Sequence, residues 1–236
     1  MSETPVSLSP RLHSVPGWFG KMPNLGDFVS RRLPDDFIRD WDDWLQHGLA
    51  HARAELGADW LARYLVAPVR RFWLAPGVLG RAGWAGVLMP SVDSVGRHFP
   101  LTIAAAIGQP ARSLAPVLAA RGWFGAIDAA ARKVLDVQFS PDDLEFELAL
   151  VGPLPVDAAD DTDAQGLAGA VLGPYLRADP ELGADGLRPC SVWWCGDAAQ
   201  PSQFDSFAAL PPASSFAALL ADPGMAGARS TTADPP

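Results

Sequence analysis

Cysteine is nearly absent from the 236 residues: Cys190 and Cys195 are the whole supply, so a small disulfide-stapled secreted scaffold is excluded. No run of about 18 apolar residues occurs, which removes a membrane-spanning helix. The first ten residues, MSETPVSLSP, lack the basic start and apolar stretch of a secretory signal. Basic residues are scarce as well. Eighteen Lys and Arg against 27 Asp and Glu leave a formal net charge of −9, the opposite of the balance that nucleic acid rewards through counterion release. What the chain does have is a 49% hydrophobic fraction, too high for a solvated coil, and a length that suits one large domain or two small ones. A cytoplasmic globular protein is expected.

The charge is unevenly spread. Residues 1–139 hold 15 Lys and Arg against 12 Asp and Glu, a net of +3, whereas residues 140–236 hold 3 against 15, a net of −12. The acidic half reads first as a solvated face, and second as one pole of a molecule that steers toward a partner.

Residues 1–16 read as a flexible arm, 17–220 as a single domain and 221–236 as a disordered tail. Phe37, Trp41, Trp44, Leu45, Leu49, Ala52 and Leu56 recur at three- and four-residue steps, predicting a helix from Asp35 to Leu56 with Asp35 as its cap and Gly57 as its stop. A shorter helix follows over 59–65. Runs rich in strand formers cover 69–74, 84–89 and 101–107, bounded by prolines. Helices are expected over 114–137, weakened in the middle by Gly122 and Gly125, from Ser140 through a capping box, over 163–176 and over 214–220, with a strand at 190–195. Interspersed helices and strands point to an α/β sandwich with a mixed sheet.

Established chemical motifs are missing. No phosphate-binding Gly-rich loop, dinucleotide fingerprint or Gly-x-Ser-x-Gly elbow is present. His47 and His51 share a helix face, but Gly48 stands where a zinc-protease Glu belongs, so solvated histidines are expected. Cys190 and Cys195 point to opposite faces of a strand and read as structural thiols.

Two segments stand out. In GWFGKMPNLGDFV (17–29), Gly17, Gly20 and Gly26 mark tight turns or close approach, and Lys21 and Asp27 sit among aromatic residues. They read either as a salt bridge holding the loop or as anchors for a ligand or partner. In WAGVLMPSVDSVGRHFPLT (84–102), a strand runs into a loop carrying Ser91, Asp93, Arg97 and His98. Ser91, Asp93 and His98 supply the residue types of a hydrolytic triad, but they crowd into eight residues, whereas a triad assembles from distant segments. Asp93 bonding local amides and pairing with Arg97 is the preferred reading.

The runs GWFGKMPNLGDFVSRRLP (17–34), WDDWL (41–45), RFWLAPGVLG (72–80) and WAGVLMPSVDSVGRHFPLT (84–102) resemble, in this order, the TagF family, also called ImpM, of type VI secretion-associated proteins. Gly17, Gly20, Pro23, Gly26, Phe28, Pro90, Gly96, Phe99 and Pro100 belong to these motifs, and the strand around Trp193 and Trp194 matches in the second half. The resemblance implies a three-layer α/β fold and a post-translational repressor without catalysis. Its partner would be the forkhead-associated scaffold protein, with other secretion components as further partners and a threonine kinase pathway opposed in several systems. Some relatives carry a fused phosphatase, for which no room is expected after residue 220. No cofactor, metal, nucleic acid or membrane insertion is expected. Lys21, Asp27, Ser91, Asp93 and Arg97 are the candidate binding residues, provided the two loops converge into one surface feature; if they meet buried and mutually hydrogen-bonded, they are structural instead. A hydrolase using Ser91 and Asp93, or a structural accessory of the secretion machine, is the alternative function.

Overall fold

Trp193 and Trp194 are neighbours on one strand, so pleating sends their rings to opposite faces of the sheet. Both are buried. A sheet that buries bulky groups on both faces must be covered on both, and three layers follow. The computed structural model describes residues 15–107, 113–155, 161–176, 187–196 and 204–221. The arm expected over 1–16 and the tail expected over 221–236 lie, apart from residues 15, 16 and 221, outside them.

Seven strands, β1 (Gly17–Gly20), β2 (Val29–Arg31), β3 (Arg70–Leu74), β4 (Gly83–Met89), β5 (Leu101–Ile107), β6 (Ser191–Cys195) and β7 (Phe204–Phe207), form one sheet in the order β2-β1-β5-β4-β3-β6-β7. Every neighbouring pair is antiparallel, which corrects the expected mixed sheet. Strands β3, β4 and β5 run as a meander, and the helices between β5 and β6 return the chain beside β3 in the opposite direction, with Phe72 facing Trp193. Interspersed helices therefore did not mean parallel crossovers.

One face is covered by α1 (Asp35–Leu56), α2 (Trp60–Val66) and α7 (Phe216–Leu219). Helix α1 has the expected bounds, but its N-cap is Pro34, and the acceptor for a first-turn amide is Asp36, taking the Phe37 N–H at 2.9 Å, rather than Asp35. Trp41 stacks on Trp193 at 6.1 Å and donates to Thr102 Oγ1 at 2.8 Å, satisfying a buried indole N–H. At Gly48 an added Cβ would fall 2.1 Å from the Phe216 ring, so α7 can lie against α1 only because that position has no side chain. Buried Arg70 donates to the carbonyls of Ala218, Leu219 and Ala221 at the end of α7, where unpaired helix carbonyls favour a cation.

The other face is covered by α3 (Ala115–Ala119), α4 (Arg121–Lys133), α5 (Pro141–Val151) and α6 (Thr162–Leu172). The helix expected over 114–137 is broken at Ala120, not softened at its glycines. The capping box at Ser140 is present, with Ser140 Oγ accepting from the Asp143 N–H and the Asp143 carboxylate from the Ser140 N–H. Cys190 is buried just before β6, and burial pushes its thiol up to about 12. No described helix is long and apolar enough to cross a membrane.

Candidate functional site

Strands β1 and β5 are neighbours, and β5 pairs with β4, so the loop leaving β1 and the loop joining β4 to β5 emerge at the same sheet end. Gly20 makes the first exit possible. Its φ is 145°, and a Cβ there would fall 2.3 Å from the Pro100 carbonyl oxygen, so only glycine fits. Gly17 is similarly pressed, since a Cβ there would fall 2.8 Å from the Arg31 carbonyl oxygen. Pro23 and Asn24 then occupy a turn closed by the Leu25 N–H on Met22 O, and Asn24 ties the loop to Phe139 O at 3.0 Å. Pro90 ends β4, and Gly96, at φ 81°, turns the second loop back through bonds between Asp93 and both Gly96 and Arg97.

The two loops lock together. Lys21 Nζ meets Asp93 Oδ2 at 2.5 Å, and Arg97 Nε donates to the same oxygen at 2.6 Å. Asp93 Oδ1 accepts the amides of Val95 and Arg97 at 3.1 and 2.8 Å. Ser91 Oγ donates to Lys21 O at 2.7 Å, the Ser94 amide donates to Leu25 O, and an Arg97 guanidinium N–H donates to Gly26 O. Burial pushes the Asp93 carboxyl upward, but the bonds from Lys21, the Arg97 amide and side chain, and Val95 outweigh it, holding the group well below the usual carboxylate range. The expected pairing of Asp93 with Arg97 and local amides is present. The alternative Lys21–Asp27 bridge is not: Lys21 is buried and paired with Asp93, whereas Asp27 is exposed and, among the described residues, accepts only the Phe28 amide.

Of the five candidate binding residues, Lys21, Ser91 and Asp93 are buried, while Asp27 and Arg97 are exposed. Phe28 stacks on Phe19 at 5.6 Å and meets Phe99 edge-on at 4.8 Å, and Lys21 Nζ lies 4.7 Å from the Phe28 ring centre. The triad residue types do not assemble: among the described residues Ser91 and Asp93 make no hydrogen bond to His98, whose ring sits edge-on to Trp60 and Tyr64 at 5.6 and 5.5 Å. Tyr64 braces the loop instead, its hydroxyl donating to Ser91 O and accepting the Ser91 amide, and burial raises its pKa.

Beside this lock runs an open groove of about 520 Å³ between the loops and α1, lined by Lys21, Phe28, Gln46, Arg53, Gly96, Arg97, His98 and Phe99. The Arg53 guanidinium lies over the Trp60 ring at 4.2 Å. Burial and then the Arg53 charge lower the His98 pKa. Sequence reasoning missed Arg53 and Gln46. The available signal was their seven-residue spacing, two turns along the polar face of α1. Among the described residues no group of three or more His, Cys, Asp and Glu side chains could hold a metal. His47 and His51 are exposed beside Asp43 and Glu55.

A search of the curated proteins gives no match. Among solved structures, the crystal structure of PA0076 from Pseudomonas aeruginosa PAO1 is similar, with 33% sequence identity and a TM-score of 0.68 over 94% of this chain and 100% of that one. The loop pair and its groove fall within residues 17–151, which match the TagF N-terminal domain, described as type VI secretion system-associated. With more than half of its length matched in this way, the chain belongs to the TagF family of type VI secretion system-associated proteins.

Proposed function

We propose that the chain is a post-translational repressor of type VI secretion that acts by binding, its partner being the system's forkhead-associated scaffold protein in the cytoplasm. Family membership supports the secretion-system setting. The observation that carries a binding role over a catalytic one is the use made of Ser91: its hydroxyl proton is committed to Lys21 O, and among the described residues the hydroxyl is hydrogen-bonded to no His, Asp or Glu side chain. A nucleophile needs an adjacent base to activate it, and the nearby carboxylate of Asp93, both of whose oxygens are taken up by Lys21, Arg97 and the Val95 amide, is too weakly basic to draw off the proton.

Affinity capture from the native cell, with the full chain as bait, tests this reading. Recovery of the forkhead-associated protein by wild type, and its loss with Arg97→Glu in a chain that still melts cooperatively, is the expected result. Arg97 suits the test because its side chain is exposed, whereas Asp93 is too deeply bonded to be replaced without loosening both loops. Failure of the wild-type chain to recover the scaffold, or a turnover abolished by Ser91→Ala alone, removes the proposal.

A further inference from the structure

The groove beside the loops has a polarity opposite to that of the molecule around it. Lys21, Arg53, Arg97 and His98 stand on its walls and no carboxylate lines it, in a chain whose net charge is −9. Asp93, beneath it, is already shared by Lys21 and Arg97. Among the described residues the Arg53 side chain makes no ion pair and no hydrogen bond; its guanidinium lies over the Trp60 ring, 4.2 Å from the ring centre. A guanidinium held over an aromatic ring is pre-organised, so less rotamer freedom is lost when it takes up a planar anion. Phe28, 42% exposed, and Phe99 give the opposite side an apolar wall. Gln46 gives one of its two amide N–H donors to Asp42 and keeps a carbonyl oxygen that can accept a backbone N–H.

We propose that this groove is the receptor for a short acidic segment of a partner protein. A side-chain carboxylate of that segment goes to the guanidiniums of Arg53 and Arg97, and an apolar neighbour lies against Phe28. This rests on the binding role above only in taking the partner to be a protein. Nucleic acid fits poorly, since the acidic body repels a long polyanion beyond the few cations of the groove. A lone small anion would use the charges but neither the aromatic wall nor the length of a depression of about 520 Å³.

The test is fluorescence anisotropy on the full chain. One probe is a labelled, end-blocked peptide pool in which Asp or Glu alternates with random apolar residues; the control pool carries Asn and Gln instead. The acidic pool is expected to bind at least about tenfold more tightly, the scale of one charge-assisted hydrogen bond. Arg53→Gln should bring it to the level of the control, and the His98 ring resonances should move during the titration. Equal binding by the two pools overturns the proposal, as does tight binding that survives both Arg53→Gln and Arg97→Gln. Displacement by inorganic phosphate at the peptide's own concentration overturns it in favour of a free-anion site. The repressor role stands or falls separately, on scaffold capture by the wild-type chain.

Discussion

Lys21 and Arg53 border the same groove and carry the same charge, and the fold treats them in opposite ways. Lys21 is 4% exposed, neutralised by Asp93 at 2.5 Å and laid over Phe28. Arg53 is exposed, stacked on Trp60 and without an ion-pair partner among the described residues. The contrast extends to their neighbours: Ser91 and Asp93 are buried with Lys21, while Arg97 reaches from the lock to the rim, bonding Asp93 through Nε and Gly26 O through its outer nitrogen. Residues that are conspicuous in the sequence because they sit in glycine- and proline-framed motifs serve mainly to hold two loops in register. Those free to meet another molecule lie at the edge of the motif or outside it. A polar motif therefore marks where a surface is built, not which of its side chains do the touching.

Substitution within the lock should have the largest effect. Asp93→Ala removes four bonds at once and leaves Lys21 buried without its counterion, the situation in which breaking a pair costs most. Thermal unfolding should show a melting temperature lower by on the order of 10 °C; a fall of less than about 2 °C would show that the lock is dispensable. The double variant Lys21→Met with Asp93→Leu should recover much of the loss, because no buried charge is then stranded. The pH dependence has a definite sign. Because folding depresses the Asp93 pKa, its contribution is present above the ordinary value of 3.8 and fades as the pH falls through the folded value. Asp93→Ala should therefore flatten the acid limb of the stability curve.

Ser91→Ala comes next. It strips one donor from the buried Lys21 carbonyl while the Tyr64 bonds to the Ser91 backbone remain. A loss of about 1–2 kcal/mol, read by denaturant titration, is expected, with scaffold capture unchanged. Loss of capture in a chain this stable would move Ser91 from the lock to the contact surface.

Long periodic segments were legible in the sequence and short ones were not. Helix α1 shows its apolar stripe six turns running, so its bounds could be read directly. Strand β1 is four residues with glycine at both ends, and β2 is three residues between Phe28 and Arg32, itself at φ 61°. The first reads as part of the 17–29 loop and the second carries no strand signal, because their strand character comes from pairing with β5 and with each other rather than from local propensity. The edge strand β7, with Asp205 and Ser206 inside it, was missed for the same reason. At the site, Asp93 with Arg97 was foreseeable because the partners are four residues apart in one turn. Lys21 with Asp93 spans 72 positions, and the contacts of Trp60 with Arg53 on one side and His98 on the other need α1, α2 and the second loop placed together.

On the rim the effects on stability should be small. Arg53→Gln gives up a cation–π contact at an exposed position, worth about 0.5–1 kcal/mol, so its melting curve should nearly overlay that of wild type even where acidic-peptide binding is lost. A collapse in stability would mean that Arg53 belongs with Lys21 after all.

The finest test of the contrast is the titration of His98. Its folded pKa lies below the ordinary 6.5 because burial, and then the Arg53 charge, disfavour the imidazolium, against a pull from Asp93. Near neutral pH the ring is uncharged in the folded state. As the pH falls through 6.5 the unfolded chain binds the proton first, so this residue lowers stability progressively until the pH passes below its folded value. Nuclear magnetic resonance of the ring protons should give a midpoint below 6.5 in wild type. Arg53→Gln, by removing one of the two depressing influences, should raise it without moving the backbone amides of the 90–100 loop. An unchanged midpoint would place Arg53 too far from His98 for the two to act on one ligand, and the rim would cease to be a single surface distinct from the lock beneath it.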